Sequence, residues 1–210
     1  MHISDGILSS AVLLGGAGVA AAGVAIGLKK TDHENIPHVA VLSAAFFVAS
    51  LIHVPVGPAS AHLVLNGLMG LILGWAVFPA VAVGLLLQVI LLGAGGVTVL
   101  GVNTAVMAVP GVLCRLLFVR LLREPSPRKS FAAGFAAGAF GIAAGGILTA
   151  ALLVTAGSSF HNTAIVLLAA HVPVLIVEGL VTGSTVMFLQ QVRPGLFGGD
   201  ERKETVDVSA

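Results

Sequence analysis

Charged residues are scarce in this chain. Only 9% of its 210 residues are Asp, Glu, Lys or Arg, whereas soluble domains carry about 25%. Hydrophobic residues make up 57%, and the mean hydropathy is +1.08. A surface so poor in charge would aggregate in water, so lipid is the expected solvent. The net charge of +1 also gives no electrostatic footprint for a nucleic-acid partner.

Cysteine and N-terminal basic residues are almost absent. The single Cys114 excludes an internal disulfide and is expected to be a buried thiol. Residues 1–27 contain no Lys or Arg, whereas a signal peptide begins with positive charge, so we expect the start of the chain to be retained. Met1 is also expected to stay, because His2 is too large for the usual removal of the first methionine.

Motifs for nucleotide hydrolysis and for zinc proteolysis are missing too. Because GxxxxGK[ST] is missing, the chain is expected to have no ATPase of its own. We also expect that it is not an enzyme and that it has no resident cofactor. An intramembrane metalloenzyme remains an alternative, but it would typically carry HExxH on a helix. A stand-alone, gradient-driven metal permease is the other alternative. That class often uses several intramembrane carboxylates and internal repeats.

Long apolar stretches are abundant. A helix needs about 20 apolar residues to cross a bilayer. Such stretches predict an all-α membrane protein, a polytopic bundle of seven transmembrane helices in a single domain over residues 1–197, with a polar tail at 198–210. The predicted helices are 8–28, 37–53, 61–78, 80–94, 103–122, 130–156 and 164–192. The fourth is short, and its glycine-rich end indicates that the chain unwinds inside protein or beside a wet cavity.

The positive residues fall at one set of helix ends. Nine of the ten Lys and Arg residues do so, and the tenth, Arg115, lies in predicted helix five near the same end. Because positive loops stay in the cytoplasm, the N-terminus is expected outside a plasma membrane and the C-terminal tail in the cytoplasm. The nine are Lys29, Lys30, Arg120, Arg123, Arg128, Lys129, Arg193, Arg202 and Lys203.

Small residues recur at four-residue spacing in two predicted helices. Such spacing lets helix backbones approach closely in lipid. It indicates packing within this bundle or, alternatively, a docking face for a partner membrane subunit. The pairs are Gly16 with Ala20, Gly23 with Gly27, Gly134 with Gly138, and Gly141 with Gly145.

Histidines carry most of the chemical information. His33 and His38 lie at the predicted cytoplasmic side, and the other five of the seven gather in the outer half: His2, His53, His62, His161 and His171. Imidazole is a preferred ligand of late first-row metals. For His161 and His171 a structural or interfacial role is favoured.

The Met1-His2 terminus is a candidate metal chelator. The free amine of Met1, the amide nitrogen of His2 and the Nδ1 of His2 can bind one cation through fused five- and six-membered rings. This nearly planar nitrogen set suits Ni(II), Cu(II) or low-spin Co(II) better than tetrahedral Zn(II). The amide must lose its proton, so binding should weaken as the pH falls. A fourth nitrogen from His62 or His53 would complete the square.

The segment between His53 and His62 is expected to hold both imidazoles near one membrane depth. Its two prolines and one glycine predict a stiff, non-helical connector. For the terminus to meet these side chains it must fold back into the mouth of the bundle. Gly6 allows the bend, and Ser4 or Asp5 can cap the first helix.

Five further polar residues are candidates for support or gating. Asp5 could also accept an imidazole N–H from His2 or His62. Asn66 could orient His62 or bond a neighbouring helix, and Asn103 has the same two interpretations. Glu178, the only acidic residue deep in a predicted span, could pair with Arg115 as a structural ion pair or gating element.

These residues resemble the CbiM/NikM family, the substrate-binding subunits of energy-coupling-factor transporters for cobalt and nickel. The likeness covers almost the whole chain. It is strongest at Met-His-Ile-Ser-Asp-Gly (1–6), Ser-Ala-His-Leu-Val-Leu-Asn-Gly (60–67) and Gly-Gly-Val-Thr-Val-Leu-Gly-Val-Asn (95–103).

The resemblance implies a transport subunit, and not an enzyme, that captures Co²⁺ or Ni²⁺ for uptake, as in cobalamin biosynthesis. It implies Met1, His2 and His62 as ligands, and seven helices with the N-terminus inserted into the outer cavity. Many relatives have another residue at the position of His53, so the resemblance does not imply it as a ligand, and it could instead support a ligand or form an entry site for the metal. The implied partners are a transmembrane coupling subunit, a cytoplasmic ATP-binding subunit and a small accessory membrane protein.

Overall fold

The computed structural model describes residues 2–122 and 126–197, and within them the chain is mostly helical. Residues 123–125 and the predicted tail at 198–210 lie outside the described residues, as does Met1. Seven α-helices are present in the described part. They are α1 (Ser10–Lys29), α2 (Ile36–Ala49), α3 (Asn66–Leu73), α4 (Val77–Leu92), α5 (Leu100–Phe118), α6 (Pro127–Ala156) and α7 (His161–Val192).

Five helical stretches among the described residues are long and apolar enough to cross a membrane. They are Ser10–Lys29, Asn66–Leu92, Leu100–Leu122, Pro127–Ala156 and Ser158–Val192. Helix α2 is apolar but has 14 residues, short of the usual crossing length. Large apolar side chains such as Leu14, Ile52 and Ile90 are exposed on the outer surface. The protein is therefore a multi-pass membrane protein.

The predicted third helix at 61–78 is wrong over its first residues. The chain instead forms strand β3 (Ala59–His62), and α3 has only eight residues. Strand β3 pairs with β2 (His53–Val56) in an antiparallel hairpin that turns at Gly57, where φ is 56°. The apolar run after His62 favoured a helix, but strand pairing satisfies the backbone of residues 59–62 instead.

Helices α3 and α4 form a hairpin whose two arms run in opposite directions. Along α3, Gly70 lies against Gly111 and Gly74 lies against Arg115, so α3 runs parallel to α5. The chain reverses at Gly74–Ala76, where Gly74 has a φ of 57°. Helix α4 then returns, and at its far end Gln88 meets Ser50 beyond the end of α2.

A third strand joins the hairpin from the start of the chain. Strand β1 (His2–Ile3) pairs antiparallel with β3, which gives the strand order β1-β3-β2. In this register His2 lies opposite Ser60, and His53 lies opposite His62. The connector is non-helical, as predicted, and the first described residues fold back into the protein.

The small-residue spacing serves packing within the bundle. A Cβ on Gly134 would lie 2.9 Å from the Cα of Gly183, and one on Gly138 would lie 2.6 Å from the carbonyl oxygen of Glu178. Helix α6 therefore packs backbone to backbone on α7. In α1, Gly27 approaches the Trp75 carbonyl in the same way. These contacts confirm the internal-packing interpretation for these glycines.

The predicted helix caps differ at the two ends that flank the site. Helix α1 begins at Ser10 with Ser9 as its N-cap residue, so neither Ser4 nor Asp5 caps it. Helix α4 ends at Leu92, and Gly93 follows in the left-handed conformation. The unwinding predicted after the fourth helix is therefore confirmed, and residues 93–99 form the loop that lies against the first residues of the chain.

Candidate metal centre

His2 is held in place by backbone contacts on both sides of its strand. Asn103, on α5, accepts the Ile3 N–H through Oδ1 at 3.0 Å and donates to the Ile3 carbonyl through Nδ2 at 3.1 Å. The Asn103 side-chain amide thus makes the two hydrogen bonds to Ile3 that a residue of a neighbouring strand would make. The Ser4 N–H continues the attachment to the Pro58 carbonyl at 3.0 Å. Because Ile3 is 1% exposed and His2 is 8% exposed, this segment lies inside the protein.

Asp5 fastens the same segment to the loop at 93–99. The Thr98 hydroxyl and, at 3.3 Å, the Val99 N–H donate to its Oδ1. Gly96 permits this contact, because a Cβ there would collide with the Asp5 carboxylate. The predicted hydrogen bond from an imidazole to Asp5 is therefore wrong, since Asp5 is exposed and its Oδ1 accepts from the loop.

His62 stands at the end of β3 and faces His2. Its Nε2 lies 3.1 Å from Nδ1 of His2, and the two ring centroids are 4.6 Å apart. His62 is 1% exposed. The Ser60 hydroxyl also lies 3.3 Å from Nδ1 of His2. Strand pairing between β1 and β3 thus brings together the two histidines that the sequence singled out, 60 positions apart.

A chain of hydrogen bonds determines which nitrogen of His2 carries its proton. The Ser50 hydroxyl donates to the Phe47 carbonyl at 2.7 Å, so its oxygen must accept from the Gln88 Nε2 at 2.6 Å. This leaves the Gln88 Oε1 facing Nε2 of His2. An amide oxygen only accepts, so Nε2 of His2 donates and its Nδ1 is bare.

The tautomer of His62 follows from its own contact. Its Nδ1 lies 2.7 Å from the Leu63 carbonyl, which only accepts, so Nδ1 carries the proton and Nε2 is bare. The two nitrogens that face each other at 3.1 Å are therefore both unprotonated lone pairs. Two such lone pairs repel each other, and the repulsion is relieved by a cation beside both or by a donor such as the Ser60 hydroxyl, which lies 3.3 Å from Nδ1 of His2.

Burial keeps both imidazoles neutral. It lowers the pKa of His2 to about 3, with a further contribution from the positive terminal amine. Burial also holds the pKa of His62 well below its usual range. Metal binding requires the neutral form, so at physiological pH a cation displaces no proton from either ring.

The spacing of the two nitrogens fits adjacent positions around a metal ion. Bonds to imidazole of about 2.0–2.1 Å meeting at right angles place neighbouring nitrogens about 3 Å apart. Within the described ranges, 2–122 and 126–197, no cluster of three or more His, Cys, Asp or Glu residues could hold a metal. Further ligands would have to come from elsewhere, and the predicted ligand Met1 lies outside the described residues.

The other predicted histidines lie apart from this pair. His53 is opposite His62 in the sheet but is exposed, and its Nδ1 contacts its neighbour Leu51. His161 is exposed and contacts the Ser158 carbonyl. His171 is buried on α7, where its Nδ1 contacts the Leu167 carbonyl at 2.6 Å.

Three interior polar residues support the fold around the site. Asn66 donates to the carbonyls of Met107 and Gly141, which fits the interpretation that it bonds neighbouring helices. The predicted pairing of Arg115 with Glu178 is wrong. Arg115 donates to the carbonyls of Leu71 and Ile72 at the end of α3, whereas Glu178 accepts the Val64 N–H at 3.1 Å.

Gln88 and Ser60 are the functional residues that sequence reasoning missed. Gln88 interrupts an otherwise apolar run on α4 and is 1% exposed, and a lone amide in such a run is itself a signal. The sequence could not show that Gln88 points at His2, because this contact requires α4 to return toward the sheet.

Replacing Gln88 with Leu is expected to weaken Ni²⁺ or Co²⁺ binding by about 10–100-fold, as for other residues that orient a ligating histidine. The variant loses the acceptor that keeps Nδ1 of His2 bare. Competition with a coloured chelator would measure the change. Gln190→Leu is the matched control, since Gln190 bonds Ser130 and Leu122 far from the site. Equal affinity in the Gln88 and Gln190 variants would contradict the prediction.

Fold and site together define a class of protein: a multi-pass membrane protein with a buried imidazole pair of the kind that late transition metals bind. Residues 2–196 match the CbiM family, described as the cobalt uptake substrate-specific transmembrane region. The chain belongs to this family and is a membrane component for cobalt or nickel transport.

Several relatives are similar over most of the chain. A Haemophilus influenzae protein named for metal transport is 43% identical over 96% of this chain and 98% of its own length. The fused nickel transport protein NikMN of Rhodobacter capsulatus is 30% identical over 93% of this chain, which covers 63% of that longer protein. A crystal structure described as a transition metal transporter has a TM-score of 0.68 and 26% identity, covering 91% of this chain and 93% of its own.

Proposed function

We propose that this protein captures Ni²⁺ or Co²⁺ as cargo in a square-planar site of four nitrogens. The ligands are the amine of Met1, the deprotonated amide nitrogen of His2, Nδ1 of His2 and Nε2 of His62. The observation that carries the proposal is the pair of bare, buried imidazole nitrogens 3.1 Å apart.

The chemistry of the donor set supports this cargo. The Met1 amine, the His2 amide and Nδ1 of His2 would form fused chelate rings, and His62 lies beside Nδ1, where the fourth corner of the square would be. Planar nitrogen sets are favoured by Ni(II) and low-spin Co(II), whereas Zn(II) prefers a tetrahedron. The hydrogen bonds that the two rings donate to the Gln88 Oε1 and the Leu63 carbonyl fix both rings. Little ordering of the ligands therefore remains when the cation binds.

The proposed orientation places the site near the outer face of the membrane. Lys29 and Lys30 end α1 on the opposite side from β1, and the Lys30 ammonium lies 5.4 Å from the Trp75 ring centre at the turn between α3 and α4. We propose seven crossings with the N-terminus outside and the C-terminus in the cytoplasm. The third crossing consists of residues 63–65, which have no regular secondary structure, together with α3. Helix α4 forms the fourth.

The proposed partners follow from what the chain lacks. No nucleotide-binding loop is present in the sequence, so ATP hydrolysis would occur on a cytoplasmic ATP-binding subunit. We propose an energy-coupling-factor assembly in which a transmembrane coupling subunit transmits that work, with a small accessory membrane protein. Membership of the CbiM family supports this assignment.

Metal analysis combined with a visible spectrum tests the proposal. Purified protein with its native N-terminus, titrated with NiCl₂, is expected to bind one Ni²⁺ per chain and to turn yellow and diamagnetic, as planar Ni(II) does. A pale green, paramagnetic complex would show a six-coordinate site and would contradict the planar assignment. Saturation at a stoichiometry well below one would show that the cation is not the cargo of this site.

A further inference from the structure

Glu178 contacts the segment that carries His62. Residues 63–65 connect His62 to α3 without regular secondary structure. Leu65 has a φ of 56°, and it is the only non-glycine residue of the described ranges with a positive φ. A left-handed leucine is strained and persists only where its surroundings enforce it. Leu65 is the N-cap residue of α3, and its apolar side chain makes no capping hydrogen bond. The contact that holds this backbone conformation must therefore come from elsewhere in the fold.

The carboxylate of Glu178 supplies that contact. Its Oε2 accepts the Val64 N–H at 3.1 Å. This amide lies two residues beyond His62 and next to the left-handed Leu65. The carboxylate also sits at the N-terminal end of α3, where negative charge is favoured. Glu178 is 0% exposed and belongs to α7, which packs backbone to backbone on α6 through Gly138.

Capping the short helix α3 with the fully buried side chain of Glu178 costs free energy of desolvation. Burying an acidic side chain in the interior costs more free energy than placing a neutral polar side chain at the cap position. Arg115, the predicted partner, instead bonds the carbonyls at the other end of α3. The second carboxylate oxygen, Oε1, has no hydrogen-bond partner within the described part of the chain. A purpose beyond capping is therefore needed to explain the carboxylate.

We propose that Glu178 is a positioning residue for His62. By binding the Val64 amide it holds the connecting segment to the rigid pair of helices α6 and α7, and so sets where the imidazole meets His2. A shift of α7 would then move His62 and change the cation site. This inference rests on the proposed function, because it assigns His62 to the cargo.

Three variants and one control test the inference. Glu178→Leu removes the hydrogen bond from the Val64 N–H, Glu178→Gln retains an acceptor oxygen, and Glu178→Asp retains a carboxyl group on a shorter side chain. Thr182→Val is the control, because Thr182 is equally buried one turn further along α7 and its hydroxyl has no hydrogen-bond partner in the described part of the chain.

The first readout is the Ni²⁺ complex of the full chain. Glu178→Leu is expected to bind about 10–100-fold more weakly with a displaced visible band. Glu178→Gln should keep the native band and most of the affinity, and Thr182→Val should match the wild type. If Glu178→Leu does not fold, Glu178→Asp is expected to show a smaller displacement of the same band. Native spectra and affinity in Leu and Asp variants alike would overturn the inference.

The second readout needs no metal and separates this inference from the proposed function. Amide hydrogen exchange over residues 63–66 should be faster in Glu178→Leu than in Glu178→Gln or Thr182→Val. If the wild type forms no planar Ni²⁺ complex, the proposed function fails, whereas the exchange result still decides whether Glu178 holds the segment. Unchanged exchange in Glu178→Leu would refute the positioning role even if metal binds as proposed.

Discussion

A chain extended by Gly-Ser ahead of Met1 is expected to lose high-affinity binding of Ni²⁺ or Co²⁺. We expect a loss of about 1,000-fold or more, equivalent to about 4 kcal/mol. The extension converts the neutral amine of Met1 into a second amide, which could bind only by losing a proton as the His2 amide already must. The same change opens the fused chelate rings, so the site loses both a ligand and the ring system that fixes its plane.

The described contacts add a steric reason for this loss. His2 and Ile3 are almost fully buried between β3, the Asn103 amide and the loop at 93–99. Residues added ahead of Met1 would have to be accommodated beside this buried segment. The pairing of Ile3 with Asn103 would then compete with the exit of the longer chain.

Isothermal titration or chelator competition on matched preparations would measure the effect. The first control carries Gly-Ser after Ala210, where no change is expected. The second carries a cleavable N-terminal extension whose removal leaves Met1 first, and binding should return on cleavage. Tight binding by the uncleaved protein would exclude the amine as a ligand and would leave the two imidazoles to account for the site alone.

Local signals in the sequence predicted that His2 meets His62 or His53, and the family resemblance favoured His62. The Met-His terminus, the proline-rich connector and the charge distribution indicated that all three histidines lie on one side. Each of these signals depends on residue type and spacing within a short segment. The backbone pairing of β1 with β3 then brings the pair to 3.1 Å, which the segments alone could not specify.

The supporting residues could not be predicted, because their partners depend on how helices return and pack. Gln88 reaches His2 only since the chain reverses at Gly74, and Asn103 pairs with Ile3 only since β1 lies against α5. The same limitation explains the two wrong pairings. Asp5 and Arg115 were paired with groups of suitable charge, but Asp5 bonds the nearby loop at 93–99 and Arg115 bonds the end of α3.

The third predicted helix shows a competition between local and tertiary preferences. The apolar run that follows His62 is typical of a membrane helix, and α3 does form from Asn66. Residues 59–62 all pair with β2, and Ala59 and Ser60 also pair with β1. Backbone hydrogen bonds in an apolar interior must all be made, so the strand is favoured where a neighbouring strand is available.

Replacing His62 with Ala is expected to weaken Ni²⁺ binding by more than about 100-fold, beyond the loss typical of residues that only orient a ligand. The variant removes the only side-chain nitrogen that faces Nδ1 of His2 in the described part of the chain. Water would take the fourth position, and water is a weaker ligand for a planar Ni(II) ion than imidazole. The visible band should therefore move to longer wavelength as the ligand field weakens.

Two histidine variants serve as controls for this experiment. His33→Ala changes an exposed residue just beyond the Lys29 end of α1, away from β1, and should bind as the wild type does. His53→Ala is the sharper control, because His53 lies directly opposite His62 in the sheet yet is exposed and bonded to Leu51. A loss in His53→Ala as large as that in His62→Ala would mean that both imidazoles act on the cation. Native affinity in His53→Ala, with the loss confined to His62→Ala, would assign the fourth nitrogen to His62, because neither burial nor hydrogen bonding holds the His53 ring toward His2.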